Sequence, residues 1–186
     1  MESSPAGPRL FIAIPLDLEV AEALLEWSEA QYPSDPGIRW GIAQQLHITV
    51  SFLGEDQGRT PDELAARLEA FCNETTQFDL VLAQVSTQFR GPVPTMIWMQ
   101  FDHSREFEEL AAGLAAAMGH DLERKPLPHI TLGRIKDLKQ PARKLPQRLL
   151  LEKDSLTVER VELWLSEPTA TGTSYRTLAS FLLQPR

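Results

Sequence analysis

A short polar pattern occurs twice in the chain, as His47-Ile48-Thr49 and as His129-Ile130-Thr131. An imidazole has an ordinary pKa of about 6.5, so at neutral pH one histidine can donate a proton while another accepts one. A threonine hydroxyl can donate a hydrogen bond to an oxygen on which negative charge develops. Displacement at phosphorus needs an acid and a base on opposite sides, because the attacking and leaving oxygens lie roughly in line. The two copies together contain the groups for that chemistry.

Strand geometry predicts how each copy is presented. Side chains at i and i+2 of a strand point to the same face, so His47 and Thr49 project together. Ile48, Val50 and Phe52 are then expected to face a core. The second copy repeats this arrangement, with its polar pair opposed to Ile130 and Leu132. If two lobes face each other across a groove, each wall presents one imidazole and one hydroxyl.

A single copy of this pattern is compatible with an inert surface histidine on a strand. Two strand-borne copies, each with an apolar residue in the middle, favour a functional interpretation. His103 and His120 have no such context, and we expect them to be structural or surface residues. A zinc site built on the two motifs is not expected, because no carboxylate or third imidazole stands at ligand spacing near either motif.

Composition places limits on the class of protein. The chain has 186 residues, of which 42% are hydrophobic and 24% charged, as in an ordinary globular domain with one core. A single cysteine, Cys72, excludes an intrachain disulfide and is typical of a reducing compartment. The apolar run 10–14 is too short for a signal-peptide core or a membrane span. We therefore predict a cytoplasmic protein that does not enter membranes.

The formal net charge of −8 argues against broad binding to a nucleic-acid backbone, which requires many phosphates to be neutralised at once. A polyanionic substrate would have to meet a local basic cleft. Most cations are expected to be solvated surface charges, and the candidates for such a cleft are Arg39, Arg90, Lys125, Arg134, Lys136 and Arg176.

Hydrophobic periodicity and breakers predict strands and helices in both halves. Residue patterns favour strands at 9–15, 38–40, 46–53, 78–85, 95–101, 130–135, 156–165 and 174–183. Helix signals follow Asp17, the capping box Thr60-Pro61-Asp62-Glu63, and Ser104, with Gly119 as a stop. The segment 136–154 is expected to be a mobile excursion with a helical turn or two near 146–151. Each half thus has one motif on a strand after a helix. The two halves share this order of elements without a repeat in sequence.

At the motifs the sequence resembles a known family. Residues 46–55, LHITVSFLGE, and 128–134, PHITLGR, resemble the two signature motifs of the 2H phosphoesterases. In particular, they look like those of the RNA 2′,3′-cyclic phosphodiesterases, also known as 2′-5′ RNA ligases. Weaker matches extend the resemblance over nearly the whole chain, at 9–15, 38–40, Phe89, Pro94, Trp98 and 175–178.

The resemblance implies an α+β fold with two antiparallel sheets, outer helices, a central cleft and a pseudo-two-fold axis. Residues 1–186 would form a single domain of two lobes, each contributing one His-x-Thr motif. It further implies that His47 is the proton donor to the leaving ribose 3′ oxygen and that His129 accepts the proton of water. The product would be a 2′-phosphate, and the same chemistry with an RNA 5′-hydroxyl in place of water would join RNA ends. Because one imidazole can be neutral and the other protonated at working pH, we expect no metal and no cofactor.

The remaining candidate residues would bind substrate. Thr49, Thr131 and Arg134 are expected to contact the phosphate. Strict alternation would put Arg134 on the core face, so either a bulge turns it toward the phosphate or it is a structural cation at the strand end. Weaker candidates for substrate contacts are Arg39, Trp40, Phe11 and Tyr175. Phe11, Trp40 and Trp98 could stack on a base, although large apolar residues in strands more often belong to a core.

Two alternatives to an RNA phosphodiesterase stay open. One is a module that binds RNA ends or nucleotides without turnover, although binding a phosphate does not require two titrating imidazoles. The other is a phosphodiesterase for small cyclic nucleotides, since the sequence has no extended basic surface. A monomer is the default expectation for the oligomeric state.

Overall fold

The structure is a computed structural model that describes residues 9–32, 37–54, 59–122, 125–136, 148–150, 154–169 and 172–186. The predicted strand and helix order is confirmed for most of these ranges. Their elements are β1 (Arg9–Pro15), α1 (Leu18–Gln31), β2 (Ile38–Trp40), a 3-10 turn (Ala43–Gln45), β3 (His47–Gly54), α2 (Pro61–Cys72), β4 (Phe78–Arg90), β5 (Val93–Phe101), α3 (Arg105–Met118), β6 (His129–Ile135), β7 (Arg148–Leu150), β8 (Ser155–Val158), β9 (Arg160–Thr169) and β10 (Gly172–Leu182).

The strands pair in the order β10-β9-β1-β3-β6-β5-β4-β7, with β2 beside β6 and β8 beside β4. All of these named pairings are antiparallel. β3 and β6 are joined at a single residue pair, Ile48 and Ile130. This pair divides the path into a first half-sheet, β10-β9-β1-β3, and a second half-sheet of β6, β5, β4, β7, β2 and β8. The expected α+β fold with two antiparallel sheets is confirmed in this form.

The two half-sheets do not correspond to the two halves of the sequence. The C-terminal strands β9 and β10 complete the half-sheet that begins with β1, and β2 from the N-terminal part pairs with β6. The chain therefore crosses between the half-sheets at both ends. Each half-sheet needs segments that are distant in sequence before it can bury its apolar face.

The helices cover one face of the sheet, and the core lies beneath them. α2 contacts α3, β9 and β10, and α3 contacts β3. Ile48 and Ile130 are completely buried on this side, together with Leu68 of α2 and Leu114 of α3. The opposite face of the sheet is therefore the one available to a substrate.

Local signals determine where the two outer helices begin and end. The side chain of Thr60 accepts a hydrogen bond from the Glu63 amide, and the Glu63 carboxylate accepts one from the Thr60 amide, which confirms the capping box. Ser104 caps α3 through the Phe107 amide at 3.1 Å. Gly119 ends α3 with φ 75°, a left-handed conformation that favours glycine. His120 follows Gly119 directly. The end of α3 is therefore determined by the glycine at its C-terminus.

Two expectations about the C-terminal part are wrong. The predicted helical turn near 146–151 is replaced at Arg148–Leu150 by the strand β7, which pairs with β4. The single strand predicted at 156–165 is divided at Glu159 into β8, which pairs with β4, and β9, which pairs with β1. The rest of the predicted mobile excursion, 137–147 and 151–153, lies outside the described residues. Among the described residues, no helix combines the length and apolar character needed to cross a bilayer.

Candidate active site

The two motifs meet where the half-sheets join. Because Ile48 pairs with Ile130 in an antiparallel register, His47 is next to Thr131 and His129 is next to Thr49 across the junction. The isoleucines are buried under the helices, whereas the four polar residues are half-buried on the open face. The predicted alternation is confirmed at these positions. The result is a nearly symmetric set of two imidazoles and two hydroxyls on one surface.

Both imidazoles are oriented by the backbone in the same way. The Nδ1 atom of His47 lies 2.7 Å from the carbonyl oxygen of Gln45, and Nδ1 of His129 lies 2.8 Å from that of Leu127. A carbonyl oxygen only accepts, so Nδ1 carries the proton and donates in both rings. Nε2 is then the atom that accepts a proton in the neutral ring and donates it in the charged ring. Each histidine thus has one nitrogen available for proton transfer.

The environment disfavours the charged form of both histidines. Burial lowers the pKa of the His47 imidazole, and the positive charges of His129 and Arg134 lower it further, against an opposing effect of the Gln45 carbonyl. Burial also lowers the pKa of His129, which its bond to the Leu127 carbonyl partly offsets. Because Arg134 follows the second motif and acts on the histidine of the first, the two motifs belong to one electrostatic unit.

Three aromatic rings surround His47. Its ring centroid lies 5.1 Å from Phe11, 4.9 Å from Trp164 and 5.2 Å from Tyr175. Phe11 and Trp164 are buried although they are on the open face, because they pack on each other. Sequence reasoning did not place Trp164 among the predicted site residues. The sequence held no signal for this role beyond an aromatic residue on a predicted strand, because its position beside His47 depends on the pairing of β9 with β1.

A largely buried carboxylate, that of Glu162, accepts a hydrogen bond from the indole of this aromatic cluster. Glu162 Oε2 accepts hydrogen bonds from Trp164 Nε1 at 2.6 Å and Thr177 Oγ1 at 3.2 Å, and its Oε1 accepts one from Ser180 Oγ at 3.0 Å. Arg160 Nε lies 3.5 Å from the same carboxylate, whose side chain is 12% exposed. Glu162 thereby determines the orientation of the indole that contacts His47.

His129 has a different environment on the second half-sheet. The Trp98 ring stacks on its imidazole, with centroids 3.8 Å apart and planes inclined by 25°. Gln100 pairs with His129 across β5 and β6, and its Oε1 accepts from Gln84 at 2.6 Å and Ser86 at 2.8 Å. These amides and hydroxyls were not predicted, because isolated glutamines on a strand carry no motif. They form a polar network beside His129.

A bulge follows each motif at the same position. In β3, Ile12 pairs with Ser51 and Ala13 with Thr49, so Val50 is an extra residue. Val50 and Ser51 both face the core, and Phe52 turns to the open face with 71% of its surface exposed. The expectation that Phe52 faces the core is therefore wrong. It lies beside Phe11, with ring centroids 6.1 Å apart.

The second bulge resolves the orientation of Arg134. Ile97 pairs with Gly133 and Trp98 with Thr131, so Leu132 is the extra residue in β6. Leu132 and Gly133 are buried, and Arg134 is exposed on the open face, with Nη1 3.6 Å from the sulfur of Met96. A bulge therefore turns Arg134 to the open face, as the first alternative expected, and its contact with phosphate stays a prediction. Phe52 and Arg134 occupy equivalent positions, each five residues after its histidine.

The predicted contacts in β2 are divided between the two faces. Arg39 is exposed and pairs with Arg134 across β2 and β6. Trp40 is half-buried and packs with the core; its ring meets Tyr32 edge-on at 5.6 Å. This placement of Trp40 favours a packing role over a substrate contact. Phe11 and Tyr175, in contrast, lie beside His47.

The remaining histidines lie outside the cleft. Nε2 of His120, behind β3, lies 2.8 Å from the hydroxyl of Ser51, the buried bulge residue. His103 pairs with Glu108 at 2.8 Å, as does Lys125. In the part of the chain that the structure describes, no group of three or more His, Cys, Asp or Glu residues is arranged to hold a metal ion.

Comparisons with known proteins agree with this geometry. The 2′-5′ RNA ligase superfamily matches residues 19–169, so the chain belongs to that superfamily. The resemblance to 2H phosphoesterases of the RNA 2′,3′-cyclic phosphodiesterase kind is thereby confirmed, and with it the expectation of an enzyme family.

Individual relatives support the same assignment. The RNA 2′,3′-cyclic phosphodiesterase of Thermotoga maritima is 27% identical over 91% of this chain and 92% of its own. That of Escherichia coli K12 is 34% identical over 67% of this chain and 70% of its own. Among solved structures, TT0787 of Thermus thermophilus is 27% identical, with a TM-score of 0.79 over 96% of this chain and 99% of the other. Escherichia coli LigT complexed with NADP+ is 25% identical, with a TM-score of 0.75 over 97% of this chain and 99% of the other.

Proposed function

We propose that this protein hydrolyses the 2′,3′-cyclic phosphate at RNA ends to a 2′-phosphate, with two histidines as acid and base. The observation that carries the proposal is the pair His47 and His129 at the junction, each held through Nδ1 by a backbone carbonyl. Preorganised imidazoles on one open face are what general acid–base catalysis at phosphorus requires. The relatives named RNA 2′,3′-cyclic phosphodiesterase support the same reaction.

In the proposed reaction water attacks phosphorus while the bond from phosphorus to the ribose 3′ oxygen breaks. His129 takes a proton from the water through Nε2, and His47 gives one to the leaving oxygen through Nε2. Thr49 and Thr131 donate hydrogen bonds to the non-bridging oxygens, and Arg134 supplies positive charge. The assignment of donor and acceptor follows the family resemblance, since the two motifs are chemically alike.

The reaction as proposed needs no metal, because the two imidazoles supply both proton transfers. The surroundings of the free site favour the neutral form of both histidines, and an anionic phosphate in the cleft favours protonation of the imidazole beside it. After turnover the two histidines have exchanged protonation states, and solvent restores them. Ligation is the same displacement with the 5′-hydroxyl of a second RNA end in place of water as the nucleophile, and we propose it as a secondary activity.

The substrate is proposed to be an RNA end and not a broad nucleic-acid surface. Phe52 beside Phe11 on the open face offers an exposed ring on which a base can stack. The similar LigT structure is a complex with NADP+, a nucleotide. Small cyclic nucleotides are therefore the competing substrate class. A cytoplasmic location, a monomeric state and one domain of two lobes stay predictions from the sequence.

The test is hydrolysis of adenosine 2′,3′-cyclic phosphate and of an oligonucleotide with the same end, in the presence of EDTA. We expect adenosine 2′-phosphate as product, and a loss of kcat of about 10²- to 10⁴-fold for His47→Ala or His129→Ala, the usual contribution of one acid or base. His103→Ala is the matched control, because His103 belongs to neither motif and its exposed imidazole is paired with Glu108.

Undiminished turnover in either variant of a motif histidine would refute the proposed mechanism. Binding of the cyclic end with unchanged substrate after long incubation would favour a non-catalytic module. Comparable rates on the mononucleotide and on the oligonucleotide would favour small cyclic nucleotides as the substrate class.

A further inference from the structure

Two arginines lie side by side at one end of the cleft. Arg39 of β2 pairs directly with Arg134 of β6. Directly opposed residues of an antiparallel pair point to the same face, and the neighbours Ile38 and Ile135 are buried on the other face. Both arginines are exposed, and Arg134 has been turned to the open face by the bulge. The two guanidinium groups therefore share the surface that carries His129 and Thr131.

An anion bound at this position would lie beside two cations at once. Among the described residues, the guanidinium of Arg134 forms no salt bridge with a carboxylate, and its Nη1 contacts the sulfur of Met96. In a chain with a formal net charge of −8, two cations concentrated at one end of the cleft indicate a local anion site.

The two arginines lie at increasing distance from the junction. Thr131 pairs with Trp98 and Arg134 with Met96, so Arg134 is the next open-face residue after Thr131, roughly 7 Å away at about 3.3 Å per residue. The charge of Arg134 contributes to the lowered pKa of His47, so its influence reaches the junction. Arg39, one strand away on β2, is left at the outer end. The pair can therefore bridge the reacting phosphate and a second anion beyond it.

We propose that Arg39, together with Arg134, forms a second phosphate subsite that binds the phosphate on the 5′ side of the terminal nucleotide. This inference rests on the proposed function and specifies its substrate. A terminal nucleotide with a 2′,3′-cyclic phosphate has its other phosphate on the 5′ oxygen of the same ribose. That group is present at every RNA end and absent from a nucleoside 2′,3′-cyclic phosphate. The subsite thereby distinguishes RNA ends from the simplest small substrate.

The experiment compares adenosine 2′,3′-cyclic phosphate with its 5′-phosphorylated form, which has the same reacting group. We expect kcat/KM to be about tenfold higher for the 5′-phosphorylated substrate, as one charge-assisted contact can provide. In Arg39→Gln the ratio of the two kcat/KM values falls toward one. In the same variant, the plot of log kcat/KM against log salt concentration for the 5′-phosphorylated substrate becomes shallower. The slope should change by about 0.7, the value for one phosphate contact to a single strand.

The matched control is Arg105→Gln, which removes the same charge from α3 on the outside of the molecule. The Arg105 side chain is 84% exposed and is paired with Glu109. The ratio should stay at its original value in this variant. An equal loss on both substrates in Arg39→Gln, or no change in the ratio, would overturn the subsite.

A binding measurement separates this proposal from the proposed catalysis. Calorimetric titration compares adenosine 2′,5′-bisphosphate with adenosine 2′-phosphate, neither of which needs turnover. We expect the bisphosphate to bind more tightly to the original protein and with no advantage to Arg39→Gln. Equal affinities for the original protein would overturn the subsite even if hydrolysis is observed. A bisphosphate advantage without hydrolysis would support the subsite and contradict the catalytic proposal.

Discussion

At the scale of single residues, the two histidines are equivalent in backbone anchoring and different in surroundings. His47 is enclosed by Phe11, Trp164 and Tyr175, whereas His129 has Trp98 on one face and a polar network beside it. An imidazolium surrounded by aromatic rings is poorly hydrated, and burial is the largest cause of the lowered pKa of His47. The two environments offer a physical basis for distinct roles of otherwise identical motifs.

The first prediction concerns the pH profile of kcat/KM on adenosine 2′,3′-cyclic phosphate. As the proposed base, His129 must be neutral, so activity should rise as pH increases through its lowered pKa. As the proposed acid, His47 must be protonated, so activity should be lost as pH increases through its own lowered pKa. Because both shifts are downward, the maximum should lie below about pH 6.5, the ordinary pKa of histidine.

Replacing Arg134 tests the electrostatic part of this expectation. Arg134→Gln removes one cause of the lowered pKa of His47, so the alkaline limb should move to higher pH while the rate falls. Arg105→Gln changes the same net charge and should leave the limb in place. An alkaline limb that does not move in Arg134→Gln would contradict the proposed coupling of the two motifs.

At the scale of elements, the bulges after the motifs determine which side chains point to the open face. Each bulge directs two consecutive residues to the core, Val50 and Ser51 in β3 or Leu132 and Gly133 in β6. The residue that follows is returned to the open face. Without this extra residue, strict alternation would point Phe52 and Arg134 into the core. The bulges thus place an aromatic ring on one half-sheet and a cation on the other.

The second prediction concerns the anchor of the first bulge. Ser51 is 5% exposed, and its hydroxyl bonds to His120 just after α3. Ser51→Ala and His120→Ala should each lower the free energy of unfolding by about 1 kcal/mol, because a partly buried hydrogen bond is lost. Urea unfolding of both single variants and the double variant measures the coupling, which should be about 0.5–1 kcal/mol. Strictly additive effects would show that the bond does not stabilise the bulge.

At the scale of the whole molecule, the candidate site forms at a junction between segments that are distant in sequence. The half-sheet of the first motif is completed by β9 and β10, and that of the second by β2, which pairs with β6 on the same side as β3. The open face holds two histidines with lowered pKa values, so acidification lowers the stability of the folded state. Site chemistry and global stability are therefore linked through the same protons.

The third prediction follows from this linkage. A histidine with a lowered pKa in the folded state binds fewer protons there than in the unfolded chain, where its pKa is about 6.5. The contribution of each histidine to stability is therefore fully present above about pH 6.5 and is lost as pH falls from there toward the lowered values. Urea midpoints at about pH 7.5 and about pH 5.5, on either side of the ordinary histidine pKa, should show this loss.

The matched variant carries His47→Gln and His129→Gln together, which removes both titrating groups. Its urea midpoint should change less between the two pH values than that of the original protein. An identical change in both proteins would show that other groups dominate the acid dependence.

The sequence by itself determined most of the elements and the identity of the motif residues. Alternation at His47-Ile48-Thr49, the capping box at Thr60 and the stop at Gly119 are local features, so they were readable without a fold. The resemblance at the two motifs supplied the family and the expected architecture. Local chemistry does not depend on which strands become neighbours.

Only the tertiary structure decided the orientation of Phe52 and Arg134, the strand at Arg148–Leu150, and the position of Trp164 and Glu162 beside the motif. A bulge is defined by the register of the partner strand, β1 for β3 and β5 for β6, and register is a long-range property. Likewise, Trp164 reaches His47 only because β9 pairs with β1. Contacts between segments distant in sequence therefore determine the arrangement of the candidate site, whereas local patterns determine the strands and helices that form it.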